Sequence, residues 1–436
     1  MKVTLTYLLL LLLLISGCSK DEDPVFDQTA DERTNETLLQ YETALISAPD
    51  GWNAQVLTGT GHLFHFHFRF NDKNRVTMYA DIDTTTAGTA AESSYRLKAL
   101  QQPALIFDTY SYLHILADPD GSVNGGEDGE GLKSDFEFSI DTVTTDSIKL
   151  TGRFNGSKVT LRRASQEDAA AWQNGDWRRA VSFQQLGRIL EYFKRMPLNG
   201  VIYEIRLNQQ VRSITFIWMD AGGNTRTFTS NYYFDTRGIM LETPLENGNR
   251  SIRSLSVEGF DAATNQLRVR VNDETPAAIS GAVTPVRRDL ESPSRWWQAV
   301  YNQETYWQSN SGFHVNGVDD AFRIRNIPNF TFLLFWPAFG IQDGIIYDLT
   351  GFVLNNNGTL GIGFGAAWLP PEFTNDGRII FSIYGTLGTI PTAARSAFDN
   401  TAALFADPSG FYLIQTGAFT YDMVSARDAR AWISWQ

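Results

Sequence analysis

The chain has 436 residues, a formal net charge of −13, and 43% hydrophobic against 19% charged residues. That balance excludes a disordered polymer, and the acidic excess argues against binding nucleic acid through its phosphates, which takes clustered Lys and Arg. A single cysteine excludes a disulfide framework.

The chain opens with Lys2, an apolar run from Leu8 to Ile15, then Ser16-Gly17-Cys18. A basic start, a short apolar core and small residues before the cut site make a secretory signal. The core is far below the ~20 residues that span a bilayer. Ile15-Ser16-Gly17-Cys18 resembles the bacterial lipobox, in which the cysteine becomes the first residue and carries the acyl chains. Cys18 is thus the expected lipidation site, and acyl burial at about 0.8 kcal/mol per CH₂ over several chains would hold the protein at the outer membrane. The acidic stretch Ser19-Lys20-Asp21-Glu22-Asp23-Pro24 resembles the surface-export signal of Bacteroidetes lipoproteins and also reads as a solvated linker. Residues 1–17 are read as the lipoprotein signal peptide and 18–34 as the acidic linker. The remaining 35–436 segment is long enough for two or three domains.

The apolar spacing of residues 34–48 predicts a helix, closed by Pro49-Asp50-Gly51. Phe64, Phe66, Phe68 and Phe70 then alternate with polar residues, predicting a strand with its phenylalanines on the core side. Asn71-Asp72-Lys73-Asn74 turns that strand into residues 75–79, and short strands are predicted at 95–100, 104–107 and 135–140. Residues 147–154 and 158–162 read as a hairpin turned by Asn155-Gly156, and Ser165 to Asp168 as the capping start of a helix reaching Trp172. A second amphipathic helix is expected over 181–196. Strands are predicted at 201–207, 211–219, 225–234, 237–241, 252–258 and 266–271. Ser292-Pro293 opens an expected Trp-rich helix over 295–307, the rest is strand and turn, and 426–432 reads as a short terminal helix.

Four short matches recur in the same order in two parts of the chain. Phe70-Asn71-Asp72 with Arg75-Val76 parallels Phe373-Thr374-Asn375-Asp376 with Arg378-Ile379. Phe107-Asp108 and Leu116-Ala117-Asp118-Pro119-Asp120-Gly121 parallel Phe398-Asp399 and Phe405-Ala406-Asp407-Pro408-Ser409-Gly410. Thr151-Gly152-Arg153-Phe154 parallels Thr416-Gly417-Ala418-Phe419, and Asp168 to Trp172 parallels Asp428 to Trp432. The expected fold is mainly β with packed helices: duplicated antiparallel β-sandwich or partly open barrel units, each preceded by a helix. The units are placed at 35–165, 166–285 and 286–436, the last a partial repeat of the first.

With FHFRFNDKNRVTMYADI, FDTYSYLHILADPDG and SDFEFSI in view, the chain resembles a family of Bacteroidetes lipoproteins known as domain of unknown function 4302. The resemblance implies an accessory surface lipoprotein. Some members lie near genes for TonB-dependent outer-membrane transporters, their substrate-binding lipoproteins and a zinc metallohydrolase lipoprotein. It carries no catalytic or binding residue onto this chain.

Three constellations bear chemistry. His65 and His67 share one strand face at i and i+2, a spacing that suits zinc, although with Arg69 beside them a polar sheet face is the ordinary reading. Asp118, Asp120, Asn124 and Glu127 gather oxygen donors of the kind calcium takes, on a loop that departs from the EF-hand pattern. Trp296, Trp297, Tyr306 and Trp307 crowd one segment and offer a stacking platform for sugar or peptide, or else a buried stripe. No cofactor is expected; loop-bound calcium is the alternative and zinc ranks below it. No HExxH, GxSxG or phosphate-loop motif occurs. The functional expectation is a non-enzymatic surface lipoprotein that captures a ligand or assists a TonB-dependent uptake complex, with a glycan or peptide hydrolase, or an adhesin, as alternatives.

Overall fold

A computed structural model describes residues 29–209 and 211–436. The expected lipobox, with Cys18, lies outside them. The first described helix, Ala30–Ile46, is capped by Thr29, whose hydroxyl accepts from the Glu32 N–H while the Glu32 carboxylate takes the Thr29 N–H. Residues 30–34, read as linker, are therefore helical.

Eight strands come next: β1 (Trp52–Leu57), β2 (Leu63–Phe70), β3 (Arg75–Ala80), β4 (Ala91–Ala99), β5 (Pro103–Phe107), β6 (Glu137–Val143), β7 (Ser147–Gly152) and β8 (Lys158–Arg163). Each pairs antiparallel with the next, and β1 pairs with β8, so the meander closes into a barrel. Alternation does the sorting: Phe64, Phe66, Phe68 and Phe70 point inward and meet Phe107 and Phe138 from across the barrel. An eight-stranded barrel is just wide enough for side chains to fill. This one is filled. The preceding helix is fixed to the first strand by the Trp52 indole N–H, which donates to the Leu45 carbonyl at 2.8 Å.

The second barrel comprises β9 (Phe193–Leu198), β10 (Val201–Asn208), β11 (Ser213–Met219), β12 (Thr225–Phe234), β13 (Gly238–Asn247), β14 (Arg250–Asp261), β15 (Gln266–Val271) and β16 (Thr275–Ala282), closed by β16 on β9. Its interior holds Met196, Tyr203, Phe216, Tyr232, Leu255 and Val269 among others. Helices Gln166–Gln173 and Asp176–Ala180 and a 3₁₀ segment Val181–Arg188 lead into it. The expected helix over 181–196 is thus replaced by a 3₁₀ turn and a strand. Closure is the reason: β9 is bonded on both flanks, to β10 and β16, and this outweighs a local helical rhythm. Strand β16, TPAAISGA, falls in a stretch for which the sequence predicts no strand, because its small residues give almost no β signal.

The C-terminal unit starts with helix Ser292–Tyr301. One sheet has the order β17 (Trp307–Ser309), β19 (Phe330–Gln342), β20 (Ile345–Asn356), β21 (Thr359–Trp368), β24 (Ile383–Leu387). The other runs β18 (His314–Val315), β27 (Ala431–Trp435), β26 (Thr420–Ser425), β25 (Phe411–Gly417), β23 (Arg378–Ile380), β22 (Glu372–Phe373). Reciprocal backbone bonds between Gln308 and Gln436 join the sheets at one seam. At the other edge the chain itself passes from β23 to β24, where the Leu369 N–H donates to the Ser382 carbonyl and extends the β21–β24 pairing. The result is a partly open barrel, with helix Arg395–Phe405 contributing Phe398 and Phe405 to its core. Trp307 repeats the role of Trp52: its indole N–H donates to the Trp296 carbonyl of the preceding helix at 2.8 Å. That helix ends at Tyr301, so Trp307 begins a strand. The terminal helix expected at 426–432 is a turn, broken at Ala429 (φ +54°), running into β27.

Some of the internal matches fall on the same local geometry. Asn71 and Thr374 each accept the backbone N–H four residues on, from Arg75 and Arg378, with the reciprocal backbone bond closing the same turn. Asp118 and Asp407 each follow a helix and accept the N–H two residues on. Phe107 and Phe398 do not correspond, one being in a strand and the other in a helix, and Trp172 and Trp432 differ in the reverse sense.

Candidate functional site

The residues singled out from the sequence are dispersed. His65 and His67 point outward from β2 but face different neighbours. His65 Nδ1 lies 3.3 Å from the Asp81 carboxylate, and its ring packs 5.3 Å from Trp177. His67 is buried with its Nδ1 unpartnered, and that burial pushes its pKa down to about 4. Asp118 accepts the Tyr110 hydroxyl and the Asp120 N–H, Asp120 accepts the Ser122 N–H, and Asn124 bonds three backbone groups of the loop. Glu127 is exposed, its carbonyl accepting from Glu130 and Gly131. Among the described residues, no three His, Cys, Asp or Glu side chains gather as a metal-holding group.

Trp296 and Trp307 are core residues of the C-terminal unit. Trp297 stacks on Tyr301 at 4.6 Å and donates its indole N–H to Asp348 at 2.7 Å, while Tyr306 stacks on Phe332. The buried stripe of this helix therefore runs through Trp296 and Val300, one position back from Trp297 and Tyr301. Burial raises the Asp348 carboxyl to about 6, against the lowering effect of the Ala338 N–H and the Trp297 indole.

The units are locked by polar contacts that the sequence did not disclose. Arg212, at the turn before β11, reaches into the first barrel. Its guanidinium donates to both Asp81 carboxylate oxygens (2.9 and 3.2 Å) and to the Asp81 and Leu63 carbonyls, and lies 3.7 Å over the Phe64 ring. Burial alone would raise the Asp81 carboxyl; Arg212 and His65 together outweigh it and hold Asp81 below the usual carboxylate range. At the other junction, Arg430 donates twice to Glu191 (2.6 and 2.8 Å), and the Tyr192 hydroxyl donates to Asp422 at 2.6 Å. Phe193, Tyr412, Val424 and Ala429 fill the space beside them.

Next to this second junction lies a cleft of about 510 Å³. Register builds one wall: Glu204, Ile217 and Thr227 form one cross-strand row on the outer face of β10–β12, and Arg206, Thr215 and Thr229 form another. Strand β25 from Tyr412 to Thr416 forms the opposite wall, and Pro285, Arg287 and Asp289 of the connecting segment line it too. Glu204 is buried although it faces outward, because one carboxylate oxygen takes Arg206 (3.0 Å) and the other takes the Val286 N–H (2.7 Å). A second space of about 290 Å³, lined by Lys194, Leu207 and Trp432, shares Tyr192 and Arg206 with the first. Burial raises the Tyr192 hydroxyl well above its ordinary value, with Asp422 adding to it. Burial also lowers Lys194, which Glu191 partly offsets. The only sequence signal for this site was Glu204 and Arg206 at i, i+2 in VIYEIRLN, a pattern shared with any solvent-facing strand.

Barrel units in series, with open space between them and side chains filling their interiors, define a modular β-barrel protein. The chain belongs to the family described as domain of unknown function (DUF4302), whose pattern matches residues 22–259. No curated protein matches the chain. Among solved structures it is similar to a lipocalin-like protein from Bacteroides uniformis, with 13% identity over 26% of this chain and 99% of that one and a TM-score of 0.16. It is also similar to an octameric penicillin-binding protein homologue from Pyrococcus abyssi (11% identity, 36% and 37% covered, TM-score 0.15). A third is the Helicobacter pylori β clamp in complex with 5-chloroisatin (9% identity, 93% and 96% covered, TM-score 0.14). Scores this low carry no inference. Among the described residues no helix is long and apolar enough to cross a membrane.

Proposed function

We propose that the protein is a non-enzymatic capture module, tethered through Cys18 to the outer membrane and displayed at the cell surface. In this reading it holds a small polar ligand in the cleft between the second barrel and the C-terminal unit, as accessory to a TonB-dependent transporter and its substrate-binding lipoprotein. The observation that carries the ligand part is the packing. Phe66, Phe68, Phe107 and Phe138 occupy one barrel interior and Tyr203, Phe216 and Tyr232 the other, which leaves a ligand the outer clefts, and this one is walled by two units and faced by polar side chains. The tether rests on Ile15-Ser16-Gly17-Cys18 and surface display on the acidic residues after it.

Three measurements on intact cells and membranes test it. Labelled palmitate should enter the wild-type chain and not Cys18→Ala, added protease should cleave the protein on intact cells, and a transporter should co-purify in mild detergent. Absence of label would remove the tether, protection from protease would remove surface display, and purification without a transporter would remove the uptake role.

A further inference from the structure

We infer that the seam between the second barrel and the C-terminal unit binds an acidic saccharide, with Arg206, Arg287 and Lys194 receiving its carboxylates. This deepens the capture reading and rests on it.

Three of the acids around the seam are fully engaged, while Glu191 gives one oxygen to Arg430 and keeps the other buried without a partner. Glu204 is held by Arg206 and the Val286 N–H, Asp289 by Arg295 at 2.7 Å, and Asp422 by the Tyr192 and Ser434 hydroxyls. The cations keep donors in reserve. Arg206 spends Nε and Nη2 on Glu204 and retains Nη1. Lys194 Nζ donates to the Glu191 carbonyl, and an ammonium carries three protons. Arg287 is exposed and forms no ion pair among the described residues. In a chain of net charge −13, an anion settles only where local cations outweigh the general repulsion. Arginine's planar fork suits a carboxylate.

The rest of the lining favours a sugar over a peptide. An extended peptide adds affinity mainly by pairing with a free strand edge. Little is offered here: β11 is bonded on both flanks, and the stretches left with one neighbour, β10 from Ile205 to Asn208 and β25 from Leu413 to Gly417, are short, with the Leu413 carbonyl already taken by the Ser292 hydroxyl. The cleft is faced by hydroxyls (Thr215, Thr227) with the Tyr192 ring beside them, the surface that sugar hydroxyls and ring faces use. The volume, about 510 Å³, falls in the range of ~300–1,000 Å³ typical of small-ligand sites.

The test uses the full chain in detergent micelles and three probes: trigalacturonic acid, its full methyl ester, and pentaglutamate. The acid should bind, the ester at least tenfold more weakly, and Arg287→Glu should weaken the acid at least fivefold with Tm unchanged. Equal binding of ester and acid, pentaglutamate binding as tightly as the sugar, no acid binding, or an unchanged Kd in Arg287→Glu would each overturn the inference. A neutral oligosaccharide that binds and is expelled by Thr227→Lys would leave the capture site standing while removing its acidic preference. Failure of every saccharide, together with purification free of any transporter, would remove the capture reading itself.

Discussion

Replacing Arg212 with methionine keeps most of the apolar stem and deletes one charge from the lock between the first two barrels. Asp81 has no exposed surface, and in the variant it keeps a single side-chain partner, His65. Removing one member of a buried ion pair costs about 3–5 kcal/mol, because the survivor stays desolvated. For a unit of this size that is a fall in Tm of roughly 6–20 °C. The pH dependence gives a second handle. Asp81 is held below its unfolded value, so its contribution is present above about pH 4 and is lost as pH falls through the folded pKa. In Arg212→Met the burial effect goes unopposed, the carboxyl rises, and the deficit against wild type narrows as the buried acid takes up its proton. Calorimetry at pH 7 and pH 4, with Asp81→Leu/Arg212→Met alongside, reads all of this. The double variant should recover most of the loss, since two apolar side chains leave no buried charge. A single variant within about 1 kcal/mol of wild type at pH 7, or a double variant no better than the single, would refute the reasoning.

Trp52→Phe and Trp307→Phe each leave a helix carbonyl without its indole donor, and each should lower stability by about 1–3 kcal/mol in chemical denaturation. Gly152→Ala should cost a similar amount, about 1–3 kcal/mol, because an added Cβ collides with the Asp135 carboxylate that organises the β7–β8 turn through the Phe154, Asn155 and Ser157 N–H groups. His67 should stay neutral down to about pH 4, so its ring protons should show no titration in NMR spectra between pH 5 and 8. Asp348 titrates near 6 when folded, above its unfolded value, so the C-terminal unit should lose stability as pH rises from about 4 to about 6. Asp348→Asn should flatten that slope in thermal melts.

Legibility tracked the range of the interaction. The β2 phenylalanines and the β7–β8 turn at Asn155-Gly156 were readable because each is fixed by residues close in sequence. The helix-then-barrel plan was visible in outline for the same reason, whereas barrel closure was not. Nothing within VSFQQLGRILEYFKRM announces that its second half pairs with residues about ninety positions later. The candidate site was the least legible part. Glu204, Arg206, Arg287 and Tyr192 are ordinary residues locally, and they converge only when a second barrel and a third unit are set side by side. The residues that did look chemical went elsewhere: His65 to the inter-barrel lock, Asn124 to its own loop, and Trp296 to a core.

Hydrogen–deuterium exchange on the full chain, with and without a saturating mixture of acidic and neutral oligosaccharides, reaches the main proposition most directly. Slowed exchange confined to residues 201–219, 283–291 and 411–417 is the expected result. Protection centred instead on the 118–131 loop or the 339–347 hairpin, with those segments unchanged, would contradict it.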